Sequence, residues 1–166
     1  STAMLHLILA DIKAGRSVLV LDPKADLVTD ILMRIPEERV GDVVIIDPSD
    51  SCPCGFNPLA FKDYGNPSLI ADAILSVLKE IFSDSWGIYT QDVLTASLLT
   101  LVEAENATLL WLLPLLTDEN FRRKVTANIK DRMALKPFWD QFEALRDTEK
   151  RTQISPVLNK LRQLTL

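Results

Sequence analysis

The chain has 166 residues, of which 48% are hydrophobic and 25% charged, a globular balance that excludes an intrinsically disordered chain. No apolar, uncharged run of about 18 residues occurs, so a membrane span is not expected, and no basic-then-apolar leader with a small-residue cleavage site is visible. The net charge of −5 is uneven: residues 1–120 carry 7 Lys+Arg against 18 Asp+Glu, and residues 121–166 carry 11 against 5, so the basic end suits either a polyanion contact or ordinary solvated helix faces.

Met4, Leu5, Ile8, Leu9 and Ile12 follow helical spacing, and Gly15 stands where a helix C-cap belongs. Ser17 to Leu21 is a short continuous apolar run, the mark of a strand covered on both faces, and Asp22-Pro23 ends it. Leu27, Val28, Ile31, Leu32 and Ile35 predict a second helix closed before Pro36, and Val43 to Ile46 predict a second buried strand ending at Asp47-Pro48. Strand, helix and strand over about thirty residues make a βαβ unit with parallel strands and a right-handed crossover. The expected fold class is therefore α/β, a partial parallel sheet.

Residues 48–67 hold Pro48, Pro53, Pro58 and Pro67 with Gly55 and Gly65, a linker or surface-hugging loop. Beyond it the strand signal disappears. Leu69, Ile70, Ala73, Ile74, Val77, Leu78, Ile81 and Phe82 form a helical stripe, and further helices are predicted at about 89–104, 107–116, 118–129, 137–147 and 154–165. Asn106 or Thr108 is a candidate cap for the third of these helices and Thr117 for the next, with Ser155-Pro156 a cap-plus-N1 pair for the last. The expected organisation is a partial core over residues 1–60 and an all-helical unit over residues 61–166. Two apolar strands cannot stand alone, and the last helical pattern is still running at Leu166, so the chain is expected to be a piece of a larger protein.

Ligands gather at the carboxyl ends of strands in an open parallel sheet. The two predicted strands deliver Asp22-Pro23-Lys24-Ala25-Asp26 and Asp47-Pro48-Ser49-Asp50 to that edge. Carboxylates there suit a metal or an ordered water near a phosphate, and Lys24 suits phosphate charge. The alternative is purely structural, with Asp-Pro ending a strand and Asp26 opening a helix against its dipole. A phosphate-cradling loop needs clustered glycines, whereas the 5 glycines here are scattered. Ser1-Thr2 before an apolar helix fits either the tail of a severed Lys-Ser-Thr motif or a tag remnant. Cys52 and Cys54 are too close for an unstrained bridge, which makes a reduced, cytoplasmic setting the expectation. With the single His6 they are too few for a zinc site.

Val18 to Leu27, Val43 to Pro48 and Phe56-Asn57-Pro58-Leu59 together resemble the P-loop DNA-pumping ATPases of conjugation and type IV secretion, the coupling-protein and HerA/FtsK-like group. Trp86-Gly87 with Asp92, Thr108-Leu109, Phe121-Arg122, Phe138-Trp139 and Ser155 to Leu161 follow in the same order. The resemblance implies a RecA-like core in hexamers around DNA, with an all-helical domain inserted after the second strand. It implies ATP and magnesium as cofactors of the larger parent, with Asp22, Lys24 and Asp26 adjacent to nucleotide. DNA and secretion or conjugation proteins are the implied partners. The chain departs from the family pattern in lacking Walker A glycines, a Walker B acid and an assignable arginine finger, and Ala25 stands where glycine is frequent. The fragment by itself is thus expected not to catalyse.

Arg122, Arg123, Lys124, Lys160 and Arg162, with Lys130, Arg132, Lys136, Lys150 and Arg151, are the candidate DNA- or partner-facing cations. Trp86, Trp111 and Trp139 suit either base stacking or core anchoring, with core anchoring favoured. His6 fits a packed or half-exposed helix position. The competing functional reading is a non-enzymatic helical module that docks partner proteins.

Overall fold

A computed structural model of the chain describes residues 2–63 and 66–165. Ser1, Gly65 and Leu166, which entered the sequence reading, lie outside the described residues. The chain divides into two compact units, one running to Gly55 and the other beginning at Phe56.

In the first unit, α1 (Thr2–Lys13) ends in a turn completed by Gly15 at φ 75°, a left-handed value that glycine adopts without a Cβ clash. A short α2 (Asp26–Leu32) follows, packed against α1. A 3₁₀ turn then spans Glu37–Asp42, and its Arg39 donates from a guanidinium nitrogen to the Ile12 carbonyl at 3.2 Å. Among the described residues of this unit, Leu5 and Ile31 are the buried hydrophobics.

The structure corrects the expected α/β class. Among the described residues there is no strand and no sheet: the chain is all-helical, and neither 17–21 nor 43–46 enters a ladder. The βαβ crossover and the RecA-like stub fall with them. Leu19 and Leu21 are each 87% exposed, and Val44 is 78% exposed. The physical reason is that a helix closes its hydrogen bonds within its own segment, whereas a strand needs a neighbouring backbone. Continuous apolar sequence reports a surface that favours cover, not the pairing itself.

The second unit is a helical bundle. Its α3 (Pro67–Ile81) is capped by Asn66, whose side chain accepts from the Ser68 amide at 3.0 Å, with Pro67 at a first-turn position where no donor is lost. The central element is α4 (Ile88–Glu103). It buries Thr90, Val93, Leu94, Ala96, Ser97, Leu98, Thr100, Leu101 and Val102, while Ile88, Asp92, Thr95, Leu99 and Glu103 form a stripe that is not buried. A helix with so wide a buried face needs neighbours on several sides, and α4 is packed by α3, α8 (Asp147–Thr165), α5 (Leu112–Thr117), α7 (Leu135–Ala144) and α6 (Glu119–Thr126). Trp139 of α7 donates from Nε1 to the Thr100 hydroxyl at 2.9 Å, so a buried donor and a buried acceptor satisfy each other.

Several local details differ from the sequence reading. Asp118, not Thr117, caps α6 by accepting from the Phe121 amide at 3.0 Å, while the Thr117 hydroxyl donates to the Leu113 carbonyl. Asn106 takes a left-handed φ of 53°, and Thr108 precedes the 3₁₀ turn Leu109–Trp111 without a side-chain cap. Ser155-Pro156 does not start the last helix. That helix begins at Asp147, with the Glu149 carboxylate accepting from the Arg146 amide at 2.9 Å, and Pro156 lies inside it. Burial of Ile154, Val157 and Leu161 on α8 holds the helix through a residue that cannot donate.

Candidate functional site

The residues singled out at the first Asp-Pro turn converge on one cleft of about 410 Å³ in the first unit. Thr2 and Leu5 of α1 form one wall, and Asp22, Lys24, Asp26, Leu27 and Asp30 form the rest. Asp22 organises this wall. Its Oδ1 accepts from the Lys24 amide at 3.1 Å, and its Oδ2 accepts from the Leu27 and Val28 amides at 2.8 and 3.2 Å. Those amides belong to the first turn of α2 and have no partner within the helix. The carboxylate thus caps α2 from outside the helix, while Asp26 stands in its first turn, the place the structural alternative gave it. The Val28 hydrogen bond acts most strongly on the Asp22 carboxyl, burial opposes it, and with the hydrogen bonds of Lys24, Leu27 and Ala25 added the group is held below its usual 3.8.

Ala25 makes this reach possible. It occupies the N-cap position with φ 64°, so the chain turns back and the side chain at 25 offers no cap of its own. An alanine in this left-handed region costs roughly 1 kcal/mol. Lys24 is exposed, and its ammonium makes no ion pair among the described residues. Asp26 and Asp30 bring two further carboxylates, Asp30 being paired with Arg34 at 2.8 Å.

The second Asp-Pro turn does not join this cleft. Asp47 is exposed and folds on itself, its Oδ1 accepting from the Ser49 hydroxyl at 2.7 Å and the Ser49 amide at 2.8 Å. The hydroxyl bond is the larger cause of a carboxyl held below 3.8. Asp50 likewise accepts only locally, from the Cys52 amide and the Ser51 hydroxyl. The free thiols of Cys52 and Cys54 are exposed.

The candidate cations of the second unit separate into two groups. Arg122 is 5% exposed. Its Nε donates to Glu143 at 2.5 Å and one terminal nitrogen donates to the Leu115 and Leu116 carbonyls, while the guanidinium carbon lies 5.1 Å from the Phe142 ring centre. Lys160 is buried, with its ammonium 3.4 Å from the Pro156 carbonyl. These two are therefore interior groups, not parts of a basic face. Arg123, Lys124 and Arg162 are exposed, with Arg123 paired to Glu119 one turn before it. Lys130, Arg132 and Arg151 are also exposed.

Around Arg122 sits a charge cluster that no short sequence window reveals. Glu143 on α7 accepts from Arg122 and from Lys150 of α8, at 3.2 Å for the latter, and Lys150 also lies over the Phe142 ring. Burial raises the Glu143 pKa, but the hydrogen bonds and charges of Arg122 and Lys150 outweigh it and leave the group below its usual 4.5. The tryptophans act as anchors. Trp139 is buried, Trp111 meets the edge of Phe121 at 5.2 Å, and Trp86 donates to Gln91 at 2.6 Å. His6 is exposed on α1. Asn57, in the Phe56-Asn57-Pro58-Leu59 segment, donates to the Ala107 carbonyl at 2.9 Å and accepts from the Leu59 amide, pinning buried Leu59 into the second unit's core.

Residues 8–157 match the family model described as Type IV secretory system Conjugative DNA transfer. Comparison with curated proteins and with solved structures gives no match. Among the described residues, no helix is long and apolar enough to cross a membrane.

Proposed function

The chain belongs to the conjugative DNA transfer family of the type IV secretory system, and on that premise we propose that it contributes the nucleotide-side turn and a helical DNA- or partner-facing unit to a DNA-moving ATPase. The observation that carries the reading is the cleft in which Thr2, Asp22, Lys24 and Asp26 meet. The donor set fits ATP and magnesium in part. The unpaired Lys24 ammonium suits phosphate oxygens, and the Asp26 carboxylate suits a hydrated cation. Asp22 is already committed to three amides, so its role is to hold the Lys24–Asp26 turn in shape. Bound ATP supplies a transferable phosphoryl group. The residues on this wall bind and orient, and the chain by itself does not hydrolyse ATP. On the second unit, exposed Arg123, Lys124 and Arg162, joined by Lys130, Arg132 and Arg151, form the surface for DNA phosphates or a secretion partner, in a larger protein that assembles as a hexamer.

The test uses the full-length protein that carries this chain. Lys24→Ala is expected to lower DNA-stimulated ATP hydrolysis without changing the thermal melting curve, while Asp22→Ala lowers hydrolysis and also loosens α2, read as faster amide exchange at Leu27 and Val28. Unchanged hydrolysis in both variants overturns the site assignment. For the basic surface, log affinity for duplex DNA should fall linearly with log salt, with a slope near 0.9 per phosphate contact. A flat response removes DNA from that surface.

A further inference from the structure

The α3–α4 hairpin leaves apolar side chains open where it turns. Val77 and Ile81, one turn apart at the end of α3, are 58% and 56% exposed. Ile88 and Tyr89, at the start of α4, are 80% and 52% exposed. The two helices pack against each other, so the short connection over residues 82–87 puts both pairs at the same end of the hairpin. Four large side chains so exposed at one end exceed the scatter of single apolar residues on ordinary surfaces. The connection itself is fixed. Phe82 and Trp86 pack against the core, and Trp86 donates from Nε1 to Gln91 at 2.6 Å. The Ser85 and Trp86 amides donate to the Phe82 and Ser83 carbonyls. The apolar end is therefore held in shape before anything meets it, which lowers the ordering cost of binding.

The charges beside these side chains are of one sign. Glu80 stands one turn on from Val77, Asp92 stands one turn on from Ile88 and Tyr89, and Asp84 lies within the connection, all three exposed. None of the three makes an ion pair among the described residues. Lys79, two residues on from Val77, leaves α3 on the opposite side. Over the whole hairpin, from Pro67 to Asn106, Asp72, Glu80, Asp84, Asp92, Glu103 and Glu105 stand against Lys79 alone. Charge complementarity selects the occupant. Exposed apolar side chains rimmed by unpaired carboxylates attract a segment that carries aliphatic side chains together with lysine or arginine. The same rim repels duplex DNA and anionic lipid, and a second copy of this end would bring like charges together.

We propose that this end of the α3–α4 hairpin is a docking surface for a basic amphipathic helix of a partner protein. Val77, Ile81, Ile88 and Tyr89 take the apolar face of that helix, and Glu80, Asp84 and Asp92 take its lysines or arginines. The surface shares no residue with the nucleotide-side cleft or with the basic surface, so it stands or falls apart from both. The contact is small and its affinity correspondingly weak. The probe is a labelled synthetic peptide of about 14 residues with leucine at helical spacing and lysine elsewhere, titrated by fluorescence anisotropy with the whole chain at up to about 1 mM. It should bind, more weakly as salt rises, and the same peptide with glutamate in place of lysine should not. Asp92→Lys should weaken binding by about tenfold. Glu105→Lys, the same charge change beyond the far end of α4, should cost less than about twofold, since the two sites lie more than a screening length apart. Ile81→Ser combined with Ile88→Ser should also cost about tenfold, with an unchanged circular-dichroism spectrum. Absence of binding by the leucine–lysine peptide overturns the proposal, whether or not DNA, anionic vesicles or a second copy bind there instead. Equal losses in Asp92→Lys and Glu105→Lys, equal binding of the glutamate peptide, or full affinity in the double isoleucine variant also overturn it.

Discussion

The two units draw on similar apolar segments and treat them differently. In the second unit α4 takes Leu98 and Leu101 to complete burial, and α3, α5, α7 and α8 add Leu75, Leu115, Trp139 and Val157 around them. In the first unit the runs 17–21 and 43–46 are as apolar as any helix of the bundle, yet Leu19, Leu21, Val44 and Ile46 lie open. Apolar density therefore does not make a core. A helix arrives with its backbone hydrogen bonds closed and needs only side-chain contacts, whereas an extended segment must also satisfy its own amides and carbonyls. The first unit presents a polar turn held by one aspartate, and the second presents a packed helical bundle with charges on its surface.

The sharpest way to break this contrast is to remove equal side chains from both units. Leu98→Ala should cost about 2–5 kcal/mol of second-unit stability in urea unfolding. Leu19→Ala should change stability by less than about 0.5 kcal/mol, as an exposed substitution does. Equal effects would show that the first unit depends on burial as much as the second. Next comes the interior charge cluster. Glu143→Gln leaves Arg122 as a buried cation without its carboxylate and should cost about 2–4 kcal/mol. The same interaction sets a pH response. Because the folded pKa of Glu143 is depressed, its stabilisation is present above the usual 4.5 and is lost as pH falls through the lower folded value. The wild-type midpoint should drop steeply there and that of Glu143→Gln much less, read by unfolding at stepped pH.

Smaller effects sharpen the comparison from each side. The hydroxyl of Ser97 is buried in α4 without a hydrogen-bond partner, so Ser97→Ala should stabilise the second unit by about 1 kcal/mol, read as a higher melting temperature. In the first unit Ala25→Gly removes the left-handed strain and should gain about 0.5–1 kcal/mol for the turn that holds the cleft, read as slower amide exchange at Leu27 and Val28. A loss at Ala25→Gly would mean that the alanine stiffens the turn more than it strains it.

What the sequence determined by itself was the helical half. The spacing of Leu69 to Phe82, the polar break between successive stripes and the Gly15 stop follow from 3.6-residue periodicity and glycine's conformational freedom, both local properties. The ordered motifs from Val18 to Leu161 led to the same family that residues 8–157 match, and the grouping of Asp22, Lys24 and Asp26 in one cleft followed from their closeness in the chain. Tertiary structure decided the remainder. Whether 17–21 and 43–46 pair depends on backbones distant in sequence, and Pro156 is carried inside α8 because its neighbours are buried. Arg122 and Lys160 turn inward because Glu143, the Leu115 carbonyl and the Pro156 carbonyl stand where those side chains reach. A charged residue looks the same in a sequence whether it meets water or a buried partner, and only the packing of helices around α4 distinguishes the two.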